Sequence, residues 1–153
     1  MKLWHVLLAA MFVLLSAATV SGAEEVKKTG LVKGVITLEG LPTSEVVVSI
    51  EGLPAEYIRT HGSKTESRVM DQRLLNFVPK VLPIVVGTSV SFPNSDNTWH
   101  NVFSKSRAKE FDVGLYPPGE SRSVMFDRPG VVRVLCNVHP TMEAHIVVKE
   151  HPF

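Results

Sequence analysis

Short runs of alternating, β-branched residues, each closed by a turn signal, constrain this chain more than any other feature. Residues 31–38 (Leu-Val-Lys-Gly-Val-Ile-Thr-Leu) and 45–50 (Glu-Val-Val-Val-Ser-Ile) are separated by Gly40-Leu41-Pro42. Further runs lie at residues 74–78, 81–86, 88–92, 101–104, 121–126, 131–136 and 144–149. Between them stand Gly52-Leu53-Pro54, Val86-Gly87, Pro93-Asn94-Ser95-Asp96-Asn97, Pro117-Pro118-Gly119 and Arg128-Pro129-Gly130. Proline fixes φ and glycine frees it, so each of these segments is built to reverse the chain. A period of two puts one row of side chains on each face of a sheet. No segment sustains a 3.6-residue apolar period, and the polar stretch 57–65 reads as a loop or a single helical turn. Seven or more strands at this spacing predict a single all-β domain, a mostly antiparallel two-sheet sandwich.

The N-terminus belongs to a different kind of segment. Met1-Lys2 gives a positive start, an apolar run follows from Leu3 to about Val20, and Ser21-Gly22-Ala23 supplies the small residues a signal peptidase reads. Residues 1–23 are therefore expected to be a signal peptide and residues 24–153 the mature domain. As an uncleaved anchor the run falls slightly short of the ~20 residues a spanning helix needs, and small residues follow it where basic ones would anchor it. The expected location is the periplasm or a comparable exported compartment, with no stable membrane anchor after cleavage.

Charge and cysteine content narrow the function classes. Lys+Arg 16 against Asp+Glu 15 leaves no basic stripe for nucleic acid. The single Cys rules out an internal disulfide framework, a four-Cys zinc site and a thiolate-bridged two-copper centre. An exported chain with one unpaired thiol needs a reason for keeping it, because oxidising compartments pair thiols or damage them.

That reason lies in Cys136-Asn137-Val138-His139-Pro140-Thr141-Met142. Cys-x-x-His-x-x-Met brings a thiolate, an imidazole and a thioether onto one tight loop at the end of a strand. Soft donors of this kind suit copper shuttling between Cu(I) and Cu(II). His100 opens another strand after the turn-rich segment 93–98 and can complete the set. His100, Cys136, His139 and Met142 then match a trigonal His₂Cys site with a long axial Met, the pattern of electron-transfer copper. Alone, Cys136 would read as an inert buried residue, His100 as structural and Met142 as a gap-filler. Their joint spacing favours ligation. A Cys136–His139 nucleophile pair would need an orienting third group and a substrate cleft, and neither is visible. Val132, Val134 and Cys136 share one strand face, which turns the thiol inward.

Phe92-Pro93-Asn94-Ser95-Asp96 leading to His100-Asn101-Val102-Phe103-Ser104, then Phe111-Asp112-Val113-Gly114, Pro129-Gly130-Val131 and the Cys136 loop, resemble the cupredoxin family. The loop is similar to that of plastocyanin- and amicyanin-like members. With Met70-Asp71-Gln72 and Phe77-Val78-Pro79, the chain more closely resembles the periplasmic plastocyanin-like proteins often labelled methylamine-utilisation proteins. The resemblance spans roughly residues 31–153. It implies a Greek-key β-sandwich holding one type 1 (blue) copper near one end, with His100, Cys136 and His139 equatorial and Met142 axial. It also implies that Asn101 ties the two ligand loops together, and that His139 and Pro140 mark the surface where electrons leave.

The expected function is thus a periplasmic one-electron carrier and not an enzyme. Its expected partners are transient redox proteins such as a cytochrome or a dehydrogenase, and it is expected to be a monomer. The alternative is a periplasmic copper carrier or buffer using the same ligands. His145 is expected at the surface of its strand, His61 in a polar loop, His151 in a solvated tail and Met70 in the core. Lys80 stands where relatives carry a His, which argues against a second metal beside Met70.

Overall fold

The computed structural model describes residues 33–43, 45–61 and 66–152. The expected signal peptide, residues 1–23, lies outside them. The chain divides into two compact units, residues 1–34 and 35–153. Of the first, only Lys33 and Gly34 are described, both exposed and outside regular structure. Among the described residues, no helix is long and apolar enough to cross a membrane.

The second unit opens with a small hairpin of β1 (Thr37–Leu38) and β2 (Leu41–Pro42). It turns through Glu39 and Gly40, both at positive φ. Residues 45–50 alternate as a strand should, yet join no sheet. Pattern sets which way side chains point, whereas a strand also needs a free edge to pair with. A short helix, α1 (Ala55–His61), then begins two residues before the polar stretch in which one turn was expected.

The ten later strands form two larger sheets and a separate hairpin. β3 (Arg68–Val69), β7 (Thr88–Pro93) and β10 (Ser121–Phe126) form a three-stranded sheet in the order β10-β7-β3. β4 (Asp71–Arg73) and β5 (Asn76–Val78) make a separate tight hairpin. A five-stranded sheet runs β6-β12-β11-β8-β9, from β6 (Val81–Val85), β8 (His100–Ser106), β9 (Lys109–Tyr116), β11 (Gly130–Leu135) and β12 (Glu143–Lys149). Pairing is mostly antiparallel, but β3 runs parallel to β7 and β6 parallel to β12. Alternation cannot reveal strand direction, so these two pairings could not be read from the chain. Pro83 on β6 suits its edge position, where a missing N–H is tolerated.

One cluster joins the inner faces. Val90 and Phe92 from β7 and Phe126 from β10 meet Val102, Tyr116, Val132, Val134, Ala144, Ile146 and Val148 from the five-stranded sheet, with Met70, Phe77 and Met142 alongside. Each fully buried Val, Ile or Phe contributes about 1.5–3 kcal/mol, so a one-residue slip of β11 or β12 would expose several at once. That burial locks the register, and it fixes Cys136 as the next inward position after Val132 and Val134.

The β4–β5 turn is unusual in composition. Leu74 and Leu75 both sit at positive φ, 50° and 56°, as in a type I′ hairpin turn that normally calls for Asn-Gly. Such a conformation costs an L-residue roughly 1–2 kcal/mol.

Candidate metal centre

Two chain reversals at one end of the five-stranded sheet build the site. The first follows β7. Asn94, almost wholly buried, accepts a bond from the Asp96 N–H at Oδ1 (3.1 Å). Its Nδ2 donates to the carbonyls of Thr98 (2.9 Å) and Tyr116 (3.3 Å). Its own backbone pairs with Glu120 and Gly119, each at 2.8 Å. This side chain shapes the turn so that the chain re-enters the sheet at His100, whose ring is fully buried.

The second reversal joins β11 to β12. Cys136 follows β11 directly and is 5% exposed. The loop closes on itself: the Met142 N–H donates to the His139 carbonyl (2.9 Å), and the Cys136 N–H donates to the Met142 carbonyl (3.3 Å). Leu135 and Glu143 then continue the antiparallel ladder. His139 is carried inward on this loop and remains half-buried, while Pro140 is exposed.

The three donor atoms converge. Cys136 Sγ lies 3.9 Å from His100 Nδ1 and 3.8 Å from His139 Nδ1, and the two Nδ1 atoms are 3.0 Å apart. A point equidistant from all three is about 2.1 Å from each, inside the roughly 2.0–2.3 Å range of transition-metal bonds to imidazole and thiolate. Two imidazole nitrogens and a cysteine sulfur gathered around one point suit a cation. The donor set is that of a trigonal copper site. Among the described residues this is the one grouping of three or more His, Cys, Asp or Glu side chains able to hold a metal.

His100 is oriented from behind. Its Nε2 lies 3.1 Å from Asp96 Oδ2, so the Nε2–H donates to the carboxylate and Nδ1 keeps its lone pair for a metal. The Leu75 N–H also donates to Asp96 Oδ2 at 2.8 Å. That backbone bond, more than any other contact, holds the Asp96 carboxyl below the ordinary carboxylate range; partial burial opposes it, and the His100 ring and the Asn97 N–H reinforce it. In the sequence Asp96 stands in a turn and in the cupredoxin-like motif, with nothing to mark it as a partner of His100. An acidic residue four before a ligand His is a faint signal, because the intervening loop decides whether the two meet.

Tyr116 is the direct cross-strand neighbour of His100. Its hydroxyl donates to the Phe92 carbonyl (2.8 Å) and accepts a bond from Gln72 Nε2. Burial pushes its pKa up from 10.0 to about 12.

The other expected site residues are distributed as follows. Met142 is fully buried beside the Cys136 backbone. Asn101 is buried too, but its Nδ2 donates to Asp112 Oδ1 (2.6 Å) and so ties β8 to β9; its Oδ1 is buried without a partner among the described residues. The link between ligand loops that the resemblance implied is not the bond this side chain makes. His145 lies on the outer face, 3.6 Å from Glu143, which also receives two bonds from Arg133. Met70 is core, and Lys80 donates to the Glu143 carbonyl (3.2 Å). His151 departs from expectation. It is 7% exposed, not solvated, and with Pro152, Thr88 and Lys149 it lines a cavity of about 350 Å³. The side chain of His61 lies outside the described residues.

Residues 63–149, more than half of the chain, match the model of a family described as copper binding proteins, plastocyanin/azurin family. No curated protein matches. Among solved structures, a purple cupredoxin from Nitrosopumilus maritimus is 23% identical over 54% of this chain and 99% of its own, with a TM-score of 0.49. A reduced amicyanin variant is 22% identical over 54% of this chain and 82% of its own, TM-score 0.51. A Cu(I) amicyanin variant at pH 4 is 21% identical over 57% and 86%, TM-score 0.51. The amicyanin likenesses show a shared fold, the cupredoxin β-sandwich.

Proposed function

Since the chain belongs to the plastocyanin/azurin family of copper-binding proteins, we propose that it is an exported one-electron carrier and not an enzyme. Copper bound at such a site supplies the Cu(II)/Cu(I) couple. The observation that carries this reading is the convergence of His100 Nδ1, Cys136 Sγ and His139 Nδ1 within 3.0–3.9 Å of one another at the ends of rigid strands. Ligands already held at these separations need little movement when the charge at the centre changes by one. Met142, buried at the end of the same loop, is the proposed fourth, weaker ligand.

His139 is the proposed exit for the electron. Its ring joins the buried cluster to a loop whose Pro140 is exposed and whose Val138 is 45% exposed. An apolar rim of this kind suits brief docking of another redox protein, a cytochrome or a dehydrogenase, through an interface under about 1,200 Å². The proposed location is the periplasm, and the proposed working form is a monomer.

The test is spectroscopic. Adding Cu(II) to the purified protein is expected to give an intense thiolate-to-copper band that Cys136→Ser abolishes. Weak d–d absorption alone would refute the thiolate site. Fast electron self-exchange separates the electron carrier from a copper carrier, which would instead yield its metal quickly to a chelator while exchanging electrons slowly.

A further inference from the structure

We infer that Asp96 is a positioning residue for the copper centre, a buried anion that fixes the tautomer and angle of His100 and biases the bound ion toward Cu(II). This rests on copper being held by His100, Cys136 and His139.

Burial and distance come first. The Asp96 side chain is 8% exposed and the His100 side chain 0%, with Nε2 and Oδ2 3.1 Å apart. Water therefore has little access to either partner. Asp96 is itself clamped on several sides. The Leu75 N–H holds Oδ2 at 2.8 Å, the Asn97 N–H holds Oδ1 at 3.2 Å, and the Asp96 backbone N–H is held by Asn94 at 3.1 Å. A side chain needed only to close the turn would be served by the bonds to Asn97 and Asn94. The further bond from Leu75 comes from a different hairpin, 21 positions earlier in the chain.

That hairpin is shaped to deliver it. Leu74 and Leu75 hold positive φ although neither residue type favours it. Backbone conformations of this kind persist where the surroundings over-determine them, and they gather at functional sites. The Leu75 N–H thus meets the carboxylate that meets the ligand ring, giving an unbroken chain of contacts from the turn to the metal position.

The chemical consequence is charge. An imidazole whose far N–H donates to a carboxylate is a more basic ligand, and anionic charge close to the ion favours its more highly charged state. A neutral carbonyl in the same place would orient the ring without that bias.

Asp96→Asn separates the two effects, because the amide oxygen can still accept both N–H groups. In copper-loaded protein, the variant is expected to lower the preference for Cu(II) over Cu(I) about tenfold, which raises the reduction potential by about 59 mV. Asp96→Glu, which keeps the charge, is expected to raise it less. In the metal-free wild type, nitrogen-15 NMR is expected to find the His100 proton on Nε2. A proton on Nδ1 there overturns the inference without any variant, and so does a potential in Asp96→Asn equal to that of wild type. If wild-type protein gives no thiolate-to-copper band, the copper site itself fails, an outcome distinct from an unmoved potential in a protein that does give the band.

Discussion

Tyr116 places a phenol where no water can reach it, between the Phe92 carbonyl and the Gln72 amide. Tyr116→Phe removes the donor to one and the acceptor for the other, and is expected to cost about 1–3 kcal/mol in urea unfolding. The pH dependence follows from the direction of the shift. With the folded-state pKa raised from 10.0 to about 12, the unfolded chain loses its phenolic proton first. The stability that Tyr116 confers is therefore complete below pH 10 and falls as the pH rises toward 12, a decline that Tyr116→Phe should lack. At this scale the proposed metal ligands were legible and the groups that hold them were not. Cys136, His139 and Met142 announce themselves by type and spacing within one loop. Asp96 and Tyr116 act through positions that only a folded loop and a strand register bring beside His100.

Among the elements, the β4–β5 hairpin offers the clearest handle. Leu74 is 85% exposed at φ 50°, so replacing it forfeits almost no packing. Leu74→Asn is expected to stabilise the protein by about 0.5–1 kcal/mol, because Asn tolerates the left-handed region that Leu resists. An unchanged or lower denaturation midpoint would show that the turn is not strained. Strands with clean alternation were read well: β10 spans the residues expected, and β7, β8, β11 and β12 differ by a few positions at their ends. β9 was missed. It is an edge strand in which Gly114 interrupts the pattern and Phe111 and Val113 are only half-buried, so no strong apolar stripe marks it. Residues 45–50 err the other way, with a strand-like pattern and no ladder partner.

For the molecule as a whole, metal binding and folding are coupled. His100 and Cys136 are 36 positions apart and meet only when the sandwich has closed. Under anaerobic conditions, free Cu(I) at 100 times its dissociation constant is expected to stabilise the fold by at most about 2.7 kcal/mol, read as a shift in the denaturation midpoint. His100→Ala should abolish most of that shift. The sandwich architecture was foreseeable because alternation and turn residues recur along the whole length; the parallel pairings were not, since they depend on which distant strands find each other.

The loop that carries Cys136 and His139 has a consequence for how the protein acquires its metal. These two donors are three positions apart and can grip a soft ion while the chain is still unfolded, whereas the partner that completes the triangle arrives only with the closed sheet. Early capture at this half-site would reward the disordered chain as well as the native one and so blunt the stabilisation that copper can give. That balance is set by copper's affinities for the complete triangle and for the half-site, so loading the chain early or late leaves the finished protein equally stable.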